Sequence, residues 1–203
     1  MRKIKACFAI CLFMWVLMGM CSVVSQRKLL NKGLIRFHVV ANSDSAEDQK
    51  IKLLVRDAVT QSFSAQLSEF SDVEQAKEFI RNHLQEIQAV ANNALKQAGV
   101  DSTAVVSFAK EQFGTRFYDT FRLPAGVYES LRISIGEGVG KNWWCVVFPT
   151  FCIPATSDGF ETVAAGAGFD GSLVGALEGE KEYEIRFFLL DLLGKGENMF
   201  FRK

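Results

Sequence analysis

The sequence has only two histidines and no net charge, and these two features argue against metal binding and against binding to polyanions. The two histidines, His38 and His83, have no neighbouring His or Cys at the spacing of a zinc site. Lysine plus arginine and aspartate plus glutamate balance at 23 each. The chain therefore has no excess positive charge with which to hold nucleic acid or an anionic membrane surface. We expect no metal, no cofactor and no nucleic-acid partner.

The N-terminus has the pattern of an exported protein. Basic residues precede an apolar run from Ala6 to Val24, which is the order found in a secretory signal. Val23 and Ser25 offer short side chains for cleavage before Gln26. The run is also close to the ~20 residues that span a bilayer, so an uncleaved anchor is the alternative. Residues 1–25 are interpreted as a signal peptide or membrane anchor, with membrane association through residues 6–24 if they are retained.

Removal of that segment would leave two cysteines, Cys145 and Cys152. In an exported chain such a pair predicts a disulfide, which would join the end of one strand to the loop after it. The alternative is two buried thiols that behave as small hydrophobic side chains.

Hydrophobic periodicity predicts an α+β fold with a mostly antiparallel sheet and a helical hairpin on one face. The predicted strands are Gly33–Ala41, Thr103–Ala109, Arg116–Arg122, Tyr128–Ile135, Trp143–Phe148 and Tyr183–Leu189. One helix is predicted from about Asp44 to Leu67, and a second from the capping box at Ser71 to Ala98. We divide the chain into the signal or anchor, an α+β domain over 26–154, a Gly/Ala-rich loop over 155–180, and a C-terminal strand and tail over 181–203.

Strand alternation groups several polar side chains on the sheet face opposite the helices. An antiparallel sheet can be open to water on one side, so this face is expected to be half-exposed. The predicted group is Arg36, His38, Arg132, Ser134, Glu184 and Arg186.

A glycine-rich turn that leads into two adjacent tryptophans is the strongest candidate for a partner-binding surface. Because successive side chains of a strand point to opposite faces, Trp143 and Trp144 cannot enter the same core layer. Either this strand is buried on both faces, or one indole is left to bind a partner, as indoles often do at interfaces. The predicted contact residues are Gly136, Glu137, Gly138, Gly140, Lys141, Asn142, Trp143 and Trp144.

Catalytic interpretations of the same residues are weaker. The glycine turn lacks the four-residue spacing and the Ser or Thr of a phosphate-binding loop. Cys145 could pair with His38 as a nucleophile, but it lies in an apolar strand rather than in an electropositive niche. Glu137 could supply an acidic group, although nothing in the sequence brings it near another carboxylate. We therefore expect a binding protein rather than an enzyme, with no small-molecule substrate.

Two segments of the sequence closely resemble the stage II sporulation protein R family of endospore-forming bacteria. The first is Leu34-Ile35-Arg36-Phe37-His38-Val39-Val40-Ala41-Asn42-Ser43-Asp44-Ser45, and the second is Gly136-Glu137-Gly138-x-Gly140-Lys141-Asn142-Trp143-Trp144-Cys145-Val146-Val147-Phe148-Pro149. Residues 48–59 and 123–133, Cys152 and the apolar N-terminus match it as well.

The resemblance implies an exported signalling protein. Members of the family are made in the forespore and cross its membrane into the intermembrane space. There they activate a membrane-embedded aspartic protease of the mother-cell membrane, which processes the precursor of sigma-E. An exported cell-wall or peptide hydrolase and a structural envelope protein remain as alternatives from the residues themselves.

Overall fold

The computed structural model describes residues 2–118, 121–148 and 168–201. Its helices are α1 (Arg2–Gly33), α2 (Ala46–Ser68), α3 (Val73–Asn82), α4 (Leu84–Gln97), α5 (Gly171–Glu178) and α6 (Glu184–Phe200), with a 3₁₀ turn at Lys181–Tyr183. Its strands are β1 (Ile35–Val40), β2 (Ala104–Phe113), β3 (Arg116–Phe117), β4 (Arg122–Leu123), β5 (Gly126–Ile135) and β6 (Asn142–Phe148). The predicted α+β class is confirmed.

The main sheet has four strands in the order β2-β5-β1-β6. Strand β2 is antiparallel to β5, and β1 is antiparallel to β6, as the short turns of the sequence predict. The third pair, β1 with β5, is parallel. Because of this pair, the first strand of the chain lies between two strands that come about a hundred residues later, a separation that the helices between β1 and β2 make possible.

Helices α2, α3 and α4 cover one face of the sheet and enclose what we call the first core. Ser45 begins α2 by accepting a hydrogen bond from the Asp48 backbone, and Asp72 begins α3 in the same way from Glu74. Side chains at helical spacing, among them Val55, Ile80 and Leu95, pack on the sheet. The predicted helical hairpin is confirmed, since α2 contacts α4.

The sequence predicted a continuous second helix in that hairpin, but the structure shows a break in it. It ends at Asn82 and restarts at Leu84. The backbone of His83 leaves the helical region at φ −111° and ψ 14°, and its ring Nδ1 lies 2.7 Å from the Phe79 carbonyl oxygen. The apolar stripe passes through this break unchanged, so the sequence pattern did not reveal it.

The opposite face of the sheet is also covered, and here the prediction of a half-exposed face was wrong. The end of α1, helix α5 and helix α6 pack on it and enclose a second core, which includes Leu30, Tyr128, Leu173, Phe187 and Leu190. All six residues of β1 are buried as a result. Arg36 and His38 belong to the interior of the protein rather than to a wet surface.

Helix α1 joins the apolar N-terminal run to this second core without a break. The side chains from Lys3 to Ser22 are all exposed, whereas Val23 and Leu30 are buried in the domain. The helix is long and apolar enough to cross a membrane, a property that a signal sequence near the N-terminus shares with an anchor. The predicted N-terminal apolar helix is confirmed.

Three predictions about the second half of the chain are corrected. Tyr183–Leu189 is not a strand but the end of the 3₁₀ turn and the start of α6. Glu184 and Arg186 therefore leave the predicted polar group: Glu184 pairs with Arg122 at 3.0 Å, and Arg186 donates to Gln26 at 2.8 Å.

The predicted strand Arg116–Arg122 is instead a small ribbon in which β3 pairs with β4. The predicted loop 155–180 contains α5, which Asp170 caps by accepting a hydrogen bond from Leu173 N at 2.8 Å. Residues 155–167 of that loop lie outside the described residues, and so does Cys152 with the proposed disulfide.

Candidate functional site

The two segments that carry the family resemblance close on each other at one end of the sheet. We call this structure the clasp, and it consists of residues 41–45 and the turn 136–141. Gly140 N donates to the Ala41 carbonyl oxygen at 2.9 Å, and Lys141 N donates to Asp44 Oδ1 at 2.7 Å. Glu137 N donates to the side chain of Asn42 at 3.1 Å. Two stretches far apart in sequence thus form one fixed unit.

The glycines of the clasp satisfy local geometric demands. Gly136 and Gly138 have φ of 55° and 61°, in the left-handed region that side chains avoid. Gly140 is needed for space, because a β-carbon there would collide with the Ser43 carbonyl oxygen. The close approach that Gly140 permits is therefore an approach to the protein's own backbone, which makes the turn rigid.

The clasp is anchored to the first turns of α2. Asp48 accepts hydrogen bonds from the Ser43 hydroxyl and, at 3.0 Å, from Asn42 Nδ2. These hydrogen bonds hold the pKa of Asp48 below its usual value, and the bond from Ser43 has the largest effect. The carboxylate is therefore ionised at neutral pH. Lys52 reaches across from α2 and donates to the Lys141 carbonyl oxygen at 3.1 Å.

The tryptophans that follow the clasp lie on opposite faces of β6. Trp143 packs against the first core, edge-on to Phe37 at 5.9 Å and beneath the Arg56 guanidinium at 4.8 Å. Trp144 packs on the other face. Both sides of the sheet are covered, and each indole is partly buried. Binding of a partner by one of them stays a prediction.

Trp144 is held between three side chains of the second face. Its ring stacks on His38, with centroids 4.8 Å apart, and meets Phe113 edge-on at 5.3 Å. The Arg116 guanidinium covers its other side at 4.3 Å. This packing fixes the indole and leaves one part of it facing a groove.

The groove has a volume of about 560 Å³ and follows the outer side of the clasp. Its walls carry the charged side chains Asp44, Lys141 and Arg116. They also include Val139, Asn142 and Trp144. Val139 is 77% exposed. Of the predicted contact residues, Gly140, Lys141, Asn142 and Trp144 line this groove, Trp143 lies on the other face of β6, and Gly136 and Glu137 are exposed at the turn.

A smaller cavity of about 190 Å³ adjoins the groove and shares Asn142 and Trp144 with it. Inside it His38 Nε2 lies 2.6 Å from Glu111 Oε2, and Arg132 lies 3.4 Å from the other oxygen of Glu111. Burial would raise the pKa of Glu111, but the hydrogen bond and charge of His38, with the charge of Arg132, hold that pKa below its usual value.

The structure does not bring together the residues of the hydrolase alternative. Cys145 packs in the first core, on the sheet face opposite the one on which His38 stacks with Trp144. Glu137 is exposed on the turn, and its backbone is bonded to Asn42. The partner of His38 is Glu111. Within the part of the chain that the structure describes, no three His, Cys, Asp or Glu residues are grouped as metal ligands.

Glu111 and Arg116 are the site residues that the sequence did not single out. Glu111 lies beyond the predicted strand Thr103–Ala109, but an extension of that strand to Phe113 would have placed it on the face of His38 by simple alternation. Arg116 could not have been found in this way, because its position over Trp144 depends on the β3–β4 ribbon, whose placement no periodicity encodes.

The fold and the site together define an α+β domain at the end of an apolar helix of membrane-spanning length, with a rigid surface clasp built from two distant segments. The family model of stage II sporulation protein R matches residues 31–158, which include both sides of the clasp. The chain belongs to this family and has a role in sporulation.

Stage II sporulation protein R of Bacillus subtilis (strain 168) is 39% identical to the chain over 125 residues, which are 62% of this chain and 56% of that protein. The chain thus covers little more than half the length of this curated relative. No solved structure matches the chain.

Proposed function

We propose that the chain is an exported sporulation signal that acts by contact and not by catalysis. Its partner is a membrane-embedded aspartic protease of the mother-cell membrane, and its binding triggers processing of the sigma-E precursor. The proposal rests on family membership and on one observation, which is that the two resemblance segments meet in a rigid, exposed clasp. The N-terminal apolar helix supports export across the forespore membrane or retention in it.

The clasp and its groove have the composition of a protein-binding site. Trp144 supplies an indole that is fixed on three sides, and Val139 adds an exposed apolar side chain beside it. Arg116 and Lys141 supply cations at the rim. Indoles and arginines dominate binding energy in interfaces, and a pre-organised surface loses little entropy when it binds.

Val139 is the most direct test of this surface. Val139→Asp places a charge on the wall of the groove, where it should weaken binding by about 2 kcal/mol or more, on the order of 30-fold in affinity. The matched control is Val105→Asp on β2, where an exposed valine lies outside the groove. Both variants should fold, because neither side chain is buried.

The measurement is processing of the sigma-E precursor in cells that produce the chain, the protease and the precursor, beside the amount and thermal stability of each variant. Val139→Asp should stop processing while its folding and export are kept, and Val105→Asp should process normally. Normal processing with Val139→Asp and with Lys141→Glu would exclude the groove as the contact surface. Cleavage of peptides or peptidoglycan by the purified chain alone would overturn the non-catalytic role.

A further inference from the structure

Helix α6 presents an apolar face to the outside of the protein. The exposed residues Ile185, Phe188, Leu192 and Met199 follow at intervals of three, four and seven, which places them on one side of the helix. Each of these side chains is more than half exposed, and Phe200 extends the stripe at its end. A single exposed apolar side chain is ordinary, but a continuous stripe marks a surface that meets an apolar environment.

The inner face of α6 carries polar groups beside the apolar Phe187 and Leu190 of the second core. Asp191 accepts hydrogen bonds from the Thr115 hydroxyl at 2.6 Å and from the Ala125 backbone at 2.7 Å. Glu197 pairs with the buried Arg27 at 2.8 Å. A helix on a water-exposed surface normally places its polar side chains outward. Helix α6 instead binds its domain through polar as well as apolar groups and leaves a second set of apolar side chains outside.

The start of α6 lies where α1 leaves its exposed apolar stretch. Arg186 donates to Gln26 at 2.8 Å and lies 3.4 Å from the Ser22 hydroxyl, while Val23 is buried in the domain. The apolar run of α1 ends at Val24. If that run crosses a bilayer, the membrane surface is therefore at the height of Arg186, and Ile185 and Phe188 lie beside it.

We propose that α6 is a second membrane contact, which lies along the bilayer surface with its apolar stripe between the lipid headgroups and the acyl chains. The position of Arg186 beside Ser22 and Gln26, where the apolar part of α1 ends, favours a bilayer over a second copy of the chain. Lys195, at the edge of the stripe, pairs with Asp191 at 2.8 Å, so its charge lies beside the apolar surface and not within it. The contact orients the domain on the membrane, which α1 alone does not do.

Photolabelling of the full chain tests this proposal. The chain is reconstituted in vesicles of phosphatidylcholine and phosphatidylglycerol that contain a diazirine phospholipid, and labelled tryptic peptides are found by mass spectrometry. Residues 187–195 form one such peptide, which contains Phe188 and Leu192. It should carry severalfold more label than the peptide of residues 53–56, whose Leu54 is also exposed but lies on α2.

The double variant Phe188→Ser with Leu192→Ser should lose most of the label in α6, whereas Leu54→Ser should leave it unchanged. Label confined to α1, with no more in 187–195 than in 53–56, would overturn the proposal, and so would crosslinks between two α6 helices in place of lipid. The wild-type comparison decides the question even if the double variant fails to fold. No protease is present, so the result is independent of the proposed signalling function.

Discussion

Trp144 of the outer strand stacks flat on His38 of the central strand, with 4.8 Å between ring centroids and 4° between ring planes. His38 is in turn fixed by Glu111 at 2.6 Å on β2. A chain of three side chains thus crosses the sheet from one edge to the other. The groove beside the clasp is therefore supported from beneath by the interior of the protein.

Truncation of Trp144 should cost stability in proportion to this packing. Trp144→Ala removes the stack on His38 and the contact with Arg116, and we expect it to lower the free energy of unfolding by about 2–3 kcal/mol, less than for a fully buried tryptophan. Trp144→Phe keeps a flat ring over His38 and should lose clearly less. Urea unfolding of the purified domain measures both. Equal losses for the two variants would show that the stack does not stabilise the fold.

Gly140 should tolerate no side chain. In Gly140→Ala the new methyl group meets the Ser43 carbonyl oxygen and forces the clasp apart, which should destabilise the protein by about 2 kcal/mol or more. Gly114→Ala is the matched control, because a β-carbon there meets nothing within 4 Å. Thermal unfolding compares the two variants. A Gly140→Ala protein as stable as Gly114→Ala would mean that the two segments are not held in close contact.

The pair of Arg27 and Glu197 predicts a dependence of stability on acid pH. Burial would raise the pKa of Glu197, but hydrogen bonds from Arg27 and Asn31, with the charge of Arg27, hold it below the ordinary value of 4.5. Because the pKa is lower in the folded state, the pair stabilises the fold above pH 4.5, and this stability is lost as the pH falls through the lowered pKa.

Glu197→Gln should therefore reduce stability at neutral pH and weaken its decline in acid. Urea unfolding of both proteins from neutral pH downward gives the two profiles, which should converge once Glu197 of the wild type is protonated. Profiles that stay parallel throughout would show that the ionisation of Glu197 contributes nothing to the stability of the fold.

The pairing of Cys145 with Cys152 stays a prediction. The disulfide would close a short loop and stabilise the fold by roughly 2–3 kcal/mol in the chain-entropy model. Mass spectrometry of secreted protein, alkylated without reductant, should find neither cysteine modified. Two alkylated thiols would show that the pair is reduced, and Cys145, which is buried in the first core, would then act as a small hydrophobic side chain.

The sequence predicted those elements whose periodicity reflects a single buried face. Strand β5 and helix α2 were found because their apolar residues recur at intervals of two and of three to four, respectively. The clasp was found in part, since the glycines and tryptophans were recognised as one unit. That residues 41–45 form its other half follows only from the tertiary pairing of Gly140 with Ala41.

The errors arose where packing runs against the usual pattern. In α6 the apolar residues face outward as well as inward, so a short window of alternating residues around Ile185 was interpreted as a strand. Arg36 was placed on a wet face, although its guanidinium is fully buried against Phe113 at 4.3 Å and donates to the Tyr118 hydroxyl. An arginine in a strand is normally expected to be exposed. Its burial can be foreseen only if the helices that cover the second face of the sheet are known.

The central position of β1 sets the order in which the molecule can be assembled. Phe37 is opposite Leu131 of β5 on one side and Cys145 of β6 on the other, so β1 has no neighbour in the sheet until β5 is present and is paired on both sides only after β6 has followed. Such distant pairings make folding slow, because a long loop must close before any contact compensates its lost entropy. In the exported signal that we propose, a chain whose passage stops before β6 would lack the edge strand and with it half of the pairing of β1. Activity of the signal would then report not only that the chain was made but also that its passage was complete.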